Sequence, residues 1–287
     1  MLLTDLFKRG EFVISSEVGP PKGFCLDSLL ERANKYLRGV HAINVTDCQS
    51  SVMRLGSLTV CKALYDNGFN PVFQLTCRDR NKIALQSDLL GAAYFGIGNV
   101  LLLTGDHTTM GDAPDTKPVY DLDSVSLLKA ASRLESGFDL NGNALSGAAP
   151  RFSKGAVVSP CSDSVDAQLA KMEAKIRAGA EFFQTQTIYE PEKFISFMER
   201  AGRFGVPVML GMVILKSARM ANFMNNNIAG VNVPQSIIDE LNDSPDKGVE
   251  IAARVINKCK PYCQGLHIMP LGLEDKVPLL LDVINKS

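Results

Sequence analysis

No stretch of this sequence approaches the roughly 18 consecutive apolar residues that a membrane-spanning helix needs. An excess of charge of one sign is also missing. The 30 Lys and Arg are offset by 31 Asp and Glu, for a net charge of -1. That balance excludes the basic footprint of a nucleic-acid or anionic-membrane binder. Histidine is scarce, with three in 287 residues, and none has metal-ligand spacing to another. There is no Gly-x-Gly-x-x-Gly fingerprint, no P-loop and no nucleophilic triad, so a Rossmann dinucleotide site is not expected. The cysteines (Cys25, Cys48, Cys61, Cys77, Cys161, Cys259, Cys263) are odd in number and scattered. They argue against a disulfide scaffold and for a reducing cytoplasm. A lone Cys259-x-x-x-Cys263 pair reads as two ordinary thiols, so no metal is expected. Asp5 and Lys8 interrupt the first residues, so no secretory signal is read there. Small molecules and other proteins remain as partners.

What is present is alternation. Apolar, β-branched runs at 12–18, 42–47, 71–77, 99–105, 154–159, 181–188, 207–214 and 265–270 read as strands. Stretches of helical spacing follow them at 27–37, 54–67, 82–95, 123–134, 166–178 and 191–203, and the last at 274–284. Extra helices are expected near 217–225, 234–241 and 248–257, before the eighth strand. Strands that each lead into a helix specify parallel pairing, because parallel neighbours need a crossover. Eight such units in one domain over residues 1–287 match an α/β (β/α)8, or TIM, barrel. A doubly wound open sheet is the rival. The Gly-, Asp- and Pro-rich region 106–151 reads as loops on the functional face.

In such barrels the chemistry sits where strands end at their C-terminal side. Those positions here are Glu17, Thr46, Asp47, Gln74 to Cys77, Thr104 to Asp106, Ser159, Gln184 to Gln186, Met212 and His267. Glu17 ends a Val/Ile-rich strand held by Gly19-Pro20-Pro21. A partly desolvated carboxyl there is a usable general acid, because burial disfavours the charged form. Pairing with Lys22, or capping a helix, is the structural alternative.

At these same places the chain resembles the methylenetetrahydrofolate reductases. The segments that carry the resemblance are SEVGPPK (16–22), QLTCRDRN (74–81), ALQSDLLGA (84–92), VLLLTGD (100–106) and KIRAGAEFFQTQ (175–186). The resemblance implies a barrel with a flavin, normally FAD, across its C-terminal face. It implies reduction of 5,10-methylenetetrahydrofolate to 5-methyltetrahydrofolate by hydride from flavin N5. A short, catalytic-domain-only form fits the length.

Roles follow position by position. Glu17 matches the general acid that supports protonation of folate N10. Asp106 matches the aspartate beside the flavin pyrimidine, where its charge favours a developing iminium. Gln186 matches a glutamine contacting pterin and nicotinamide, with Gln184 its same-face neighbour. Phe223 falls, after a one-residue gap, where an aromatic stacks on substrate. Thr46, Asp47, Gly105 and Tyr120 match flavin-contacting positions. Lys175, and less closely Lys171, match basic positions near the flavin phosphates.

Departures matter too. Gln74 stands where the common form has His, and Thr104 where it has Arg. Val158-Ser159-Pro160-Cys161-Ser162-Asp163 replaces a Tyr-Pro-Glu-x-His-Pro segment. Fewer cationic donors around the flavin tail admit FMN in place of FAD. The LTGDH segment (103–107) and residues 117–124 resemble the branch of anaerobes and acetogens. In that branch the reductase often pairs with a partner subunit carrying iron–sulfur or zinc centres, so the resemblance implies an oligomer, with electrons from either NAD(P)H or such a partner. A pterin-binding methyltransferase barrel, which would be colourless, is the rival from a different class.

Overall fold

The computed structural model of the chain describes residues 1–228 and 230–286. Strands β1 (Val13–Val18), β2 (Ala42–Val45), β3 (Pro71–Thr76), β4 (Asn99–Leu103), β5 (Ser153–Val158), β6 (Phe182–Thr187), β7 (Val208–Val213) and β8 (Gly265–Met269) pair in parallel and in order. Pairing of β8 with β1 closes the barrel and rules out the open sheet. The first helix, α1 (Leu3–Lys8), precedes β1. Around the barrel run α2 (Asp27–Tyr36), α3 (Ser57–Asp66), α4 (Lys82–Tyr94), α5 (Ser124–Glu135), α6 (Val165–Arg177) and α7 (Pro191–Ala201). The expected extra helices are α8 (Ala218–Asn227), α9 (Gln235–Asp243) and α10 (Gly248–Cys259), and α11 (Lys276–Lys286) follows β8.

Alternation along the strands sorts the core into two clusters. Outward residues such as Ile43, Phe73, Leu75, Val100 and Leu102 pack beneath Val60, Leu64, Leu85, Leu89 and Leu127 of the helices. Inward residues Val13, Ala42, Val72, Leu101, Phe182 and Met209 form a separate apolar layer in the lumen. Gly155 makes room for it: a Cβ there would sit 2.4 Å from the Phe182 ring.

Helix α1 was not expected. Six residues are too few for a periodic signal, and an isolated helix of that length is unstable in water. Tertiary contacts hold it. Leu3 and Leu6, one turn apart, insert into the inner layer and stopper the barrel. The unpaired amides of its first turn donate to strand side chains, Leu3 N to Asn99 Oδ1 at 2.8 Å and Thr4 N to Ser153 Oγ at 3.1 Å. Leu6→Ala leaves a cavity in this layer and is expected to cost about 2–5 kcal/mol in urea denaturation. A loss below about 0.5 kcal/mol, the size of a surface change, would show that α1 does not seal the lumen.

Region 106–151 divides between the two faces. Residues 104–123 link the end of β4 to α5 and lie on the C-terminal face. Residues 136–152 link α5 back to the start of β5, so they lie on the opposite face, where Arg151 pairs with Asp5 at 3.0 Å. A helix returns the chain to the other end of the barrel, which composition alone does not register. Loops on the functional face end in built helix starts. Asn81 accepts from Ile83 N and Ala84 N, and Asp123 forms a capping box with Ser126.

Candidate active site

Above the apolar layer the lumen turns polar, because the next inward positions are Ser15, Asn44, Gln184 and His267, then Glu17, Gln74 and Gln186. They open into a cavity of about 360 Å3 at the C-terminal strand ends. Of the expected site residues, Glu17, Thr46, Asp47, Gln74, Thr104, Gly105, Asp106, Lys175 and Gln186 line it. A deeper cavity of about 150 Å3 adds Gln184 and His267, and shares Glu17, Gln74 and Gln186. A shallower one of about 590 Å3 adds Tyr120. Lys171 and Phe223 line none of the three. Lys171 is solvated, and Phe223 is 59% exposed on α8.

Glu17 is 8% exposed. Gln74 Nε2 donates to its Oε2 at 2.9 Å, and His267 Nε2 lies 3.6 Å from the same oxygen. Lys22 pairs instead with Asp112, so the expected structural partner of Glu17 is engaged elsewhere. Gln184 is more deeply committed than its sequence neighbour Gln186. Asn44 Nδ2 donates to Gln184 Oε1 at 2.9 Å, and Gln184 Nε2 reaches Asn44 Oδ1 at 3.3 Å and Ser15 Oγ at 3.4 Å.

Asp47 forms part of the wall and acts as a brace. Its carboxylate accepts from Thr76 N and Oγ1, both at 2.9 Å, and from Arg80 at 2.7 Å, tying the end of β2 to that of β3. Arg78, buried, does the same for the rim. Its guanidinium forks onto Asp79 at 2.8 and 2.7 Å and donates to the carbonyls of Cys48 at 3.1 Å and Asp106 at 3.4 Å. Tyr120 turns its hydroxyl to the Asp106 carbonyl at 2.8 Å. The Asp106 backbone is thus held twice, while its carboxylate stays in solvent at the rim. Gly105 precedes it with φ +90°, and a Cβ there would press on Thr76 at 3.0 Å. Next to Arg78 the loop after β2 places Cys48, Ser50 and Ser51 in the left-handed region, at φ 44°, 55° and 58°. Such conformations persist only where neighbours over-determine them.

Lys175 reaches in from α6 and donates to the Val157 carbonyl at 2.7 Å. Burial, with Lys171 adding to it, brings its pKa down from 10.5 to about 8. Sequence reasoning marked His267 only as a strand-end position and gave no role to Ser15, Asn44 or Arg78. Alternation does place Ser15 on the same face as Glu17, and His267 between inward Gly265 and Met269. The burial of Arg78 had no such signal. Among the described residues no group of three or more His, Cys, Asp or Glu could hold a metal ion.

The sequence profile described as methylenetetrahydrofolate reductase matches residues 2–285. The chain belongs to that family. A Schizosaccharomyces pombe relative, methylenetetrahydrofolate reductase 2, is 27% identical, with 97% of this chain aligned to 46% of the relative. The chain therefore spans about half the length of that yeast reductase. A 5,10-methylenetetrahydrofolate reductase from Pectobacterium carotovorum is 25% identical over 86% of this chain and 80% of its own. Among solved structures, a Clostridium thermocellum protein that binds two copies of 5-methyl-5,6,7,8-tetrahydrofolic acid superposes over both full chains with a TM-score of 0.74 at 14% identity. A 2,3-dimethylmalate lyase gives 0.54 at 13% identity. At these identities the structural likeness speaks to the barrel alone.

Proposed function

We propose that the chain is a flavin-dependent reductase converting 5,10-methylenetetrahydrofolate to 5-methyltetrahydrofolate in this cavity. The observation that carries the reading is Glu17, a carboxyl at the top of the lumen with a side-chain donor on it and an open cavity in front. The yeast and bacterial relatives carry the reductase name, and the Clostridium protein binds a methylated tetrahydrofolate.

The residues present fit a flavin. Leu103, Val157 and Met269 give the cavity apolar walls for a ring system, and Thr46, Gln74 and Thr104 give it polar edges. Lys175 is a cation at the wall for a phosphate, while the guanidinium of Arg78 is already committed to Asp79 and two carbonyls. FAD is the expected form, with FMN admitted by the thin supply of cations. A bound flavin supplies hydride, as flavins do, and the protein supplies orientation and charge. Glu17 holds the proton that folate N10 takes as the ring opens. Gln186, which lines the two deeper cavities, holds the pterin in this reading. Asp106 puts a negative charge at the rim where positive charge develops, and a bound ring that covers it from solvent strengthens that effect.

Titration of the purified chain with FMN and with FAD, followed by flavin fluorescence quenching, tests the cofactor. Saturable binding of either supports the reading, and failure to bind both contradicts it.

Lys175 couples this site to stability. It keeps its proton to about pH 8 when folded and to 10.5 when unfolded. Between those values the unfolded chain binds more protons, so the lysine opposes folding below pH 8, and the opposition fades as pH rises to 10.5. Lys175→Met is therefore expected to raise Tm at neutral pH and to weaken flavin binding. Wild-type affinity should fall above pH 8 as the ammonium is lost. Melting curves and flavin titrations at several pH values check both. A variant with a lower Tm and undiminished affinity would place Lys175 outside the site.

A further inference from the structure

Beneath Glu17 runs a chain of polar side chains to which the proposed reaction assigns no task. Its members come from four strands and share the inner face, with register setting Ser15 opposite His267 and Glu17 opposite Asn44. From the geometry we infer that His267 is a positioning residue for Glu17. In this role the imidazole, fixed in one tautomer by Ser15, directs an N–H at the Glu17 carboxylate and steadies the anion left when the proton departs. The inference rests on the reading of Glu17 as the proton donor.

The tautomer follows from hydrogen-bond arithmetic. His267 is 3% exposed, and its Nδ1 lies 2.9 Å from Ser15 Oγ. A neutral imidazole has one N–H donor and one bare nitrogen acceptor. Ser15 Oγ already accepts from Gln184, so its own proton is free for Nδ1, and once Glu17 is ionised its Oε2, 3.6 Å from Nε2, can only accept, which puts the ring proton on Nε2. Nδ1 then accepts from the Ser15 hydroxyl. Ser15 Oγ in turn accepts from Gln184 Nε2 at 3.4 Å, and the doubly bonded Asn44 holds that amide. Donation runs one way, from Gln184 through Ser15 to His267, whose remaining N–H faces Glu17.

Among the described residues, Gln74 and His267 are the side chains that aim an N–H at Glu17, and of the two only the imidazole is held by a further chain of donors. Gln74 offers a neutral amide at 2.9 Å, whose carbonyl end accepts. Lys175, though it lines the same cavity, is bonded to the Val157 carbonyl. The apolar layer and the α1 stopper seal the lumen from below, and a bound ligand would cover it from above. The Glu17 anion then depends on fixed protein donors, which matter more in a dry site than in water. At 3.6 Å the His267 contact is longer than a full hydrogen bond, as expected for a donor that closes only when Glu17 is ionised.

Two measurements test the inference. The first needs no cofactor: 15N spectra of histidine-labelled full chain, whose three histidines are His41, His107 and His267. The His267 signals, identified by their loss in His267→Gln, should report the Nε2-protonated tautomer. They should move in Glu17→Gln while those of His41 and His107 stay in place. An Nδ1-protonated ring, or His267 signals indifferent to Glu17→Gln, overturns the inference.

The second is re-oxidation of dithionite-reduced flavin, on the protein, by methylenetetrahydrofolate. His267→Leu should slow it by about 10- to 100-fold, the loss of one donor to a charged group, at unchanged flavin affinity. His267→Gln, which keeps an N–H at similar reach, should recover most of the rate. Full activity in His267→Leu, or no recovery in His267→Gln, overturns the inference. Glu17→Gln in the same assay separates the two readings. An unaffected rate there sinks the proton-donor reading, whereas a crippled rate beside an active His267→Leu sinks only the role of His267.

Discussion

Glu17→Gln is expected to slow folate reduction by reduced flavin by about 10²- to 10⁴-fold, the usual contribution of a positioned general acid. The substitution keeps side-chain length and leaves an amide opposite Gln74, so the wall of the cavity is preserved. It removes the carboxyl that the proposed reaction uses as its proton donor. Flavin affinity should not change, since the contacts expected of the cofactor lie with Thr46, Thr104 and Lys175 around the cavity. Stopped-flow re-oxidation of the reduced flavoprotein measures the first quantity, and fluorescence titration the second. Equal loss in both would make Glu17 a cofactor-positioning side chain and not an acid.

Arg78→Met should damage the rim more than any other single change to a lining residue. The guanidinium is buried and spends its donors on Asp79, the Cys48 carbonyl and the Asp106 carbonyl. Loss of hydrogen bonds to a charged group is worth about 1.5–3 kcal/mol. The loop at Cys48, Ser50 and Ser51 then loses a tether that holds it in left-handed backbone, and Asp106 keeps only Tyr120. Flavin affinity is expected to fall together with stability. Arg78→Lys should rescue little, because a single ammonium cannot fork between a carboxylate and two carbonyls. Urea denaturation and flavin titration on both variants read the result. Unchanged affinity with normal stability would mean that the rim organises itself.

The barrel was legible because each strand carries a period of two or an apolar run bounded by turn residues, and each helix a period near 3.6. The same alternation put Glu17, Gln74 and Gln186 at the mouth. It could not separate the amide of Gln186, which accepts from the adjacent Thr187 N, from that of Gln184, whose commitment is set by Asn44, 140 residues away. Asp47 was read as a cofactor contact, yet its oxygens serve Thr76 and Arg80, a bond set that no local pattern encodes. Helix α1 escaped because its stability comes from the lumen it plugs. Lys171 and Phe223 were carried over by position in the chain, and the fold leaves both side chains in solvent. Ser15 and His267 meet across 252 residues only because the last strand closes on the first.

A single anaerobic turnover tests the central claim most directly. The chain is loaded with flavin, reduced with dithionite, and mixed with 5,10-methylenetetrahydrofolate. Flavin re-oxidation should proceed with formation of an equal amount of 5-methyltetrahydrofolate. Flavin that stays reduced in the presence of substrate, with no methylated product, would contradict the assignment of this cavity as a folate-reducing site.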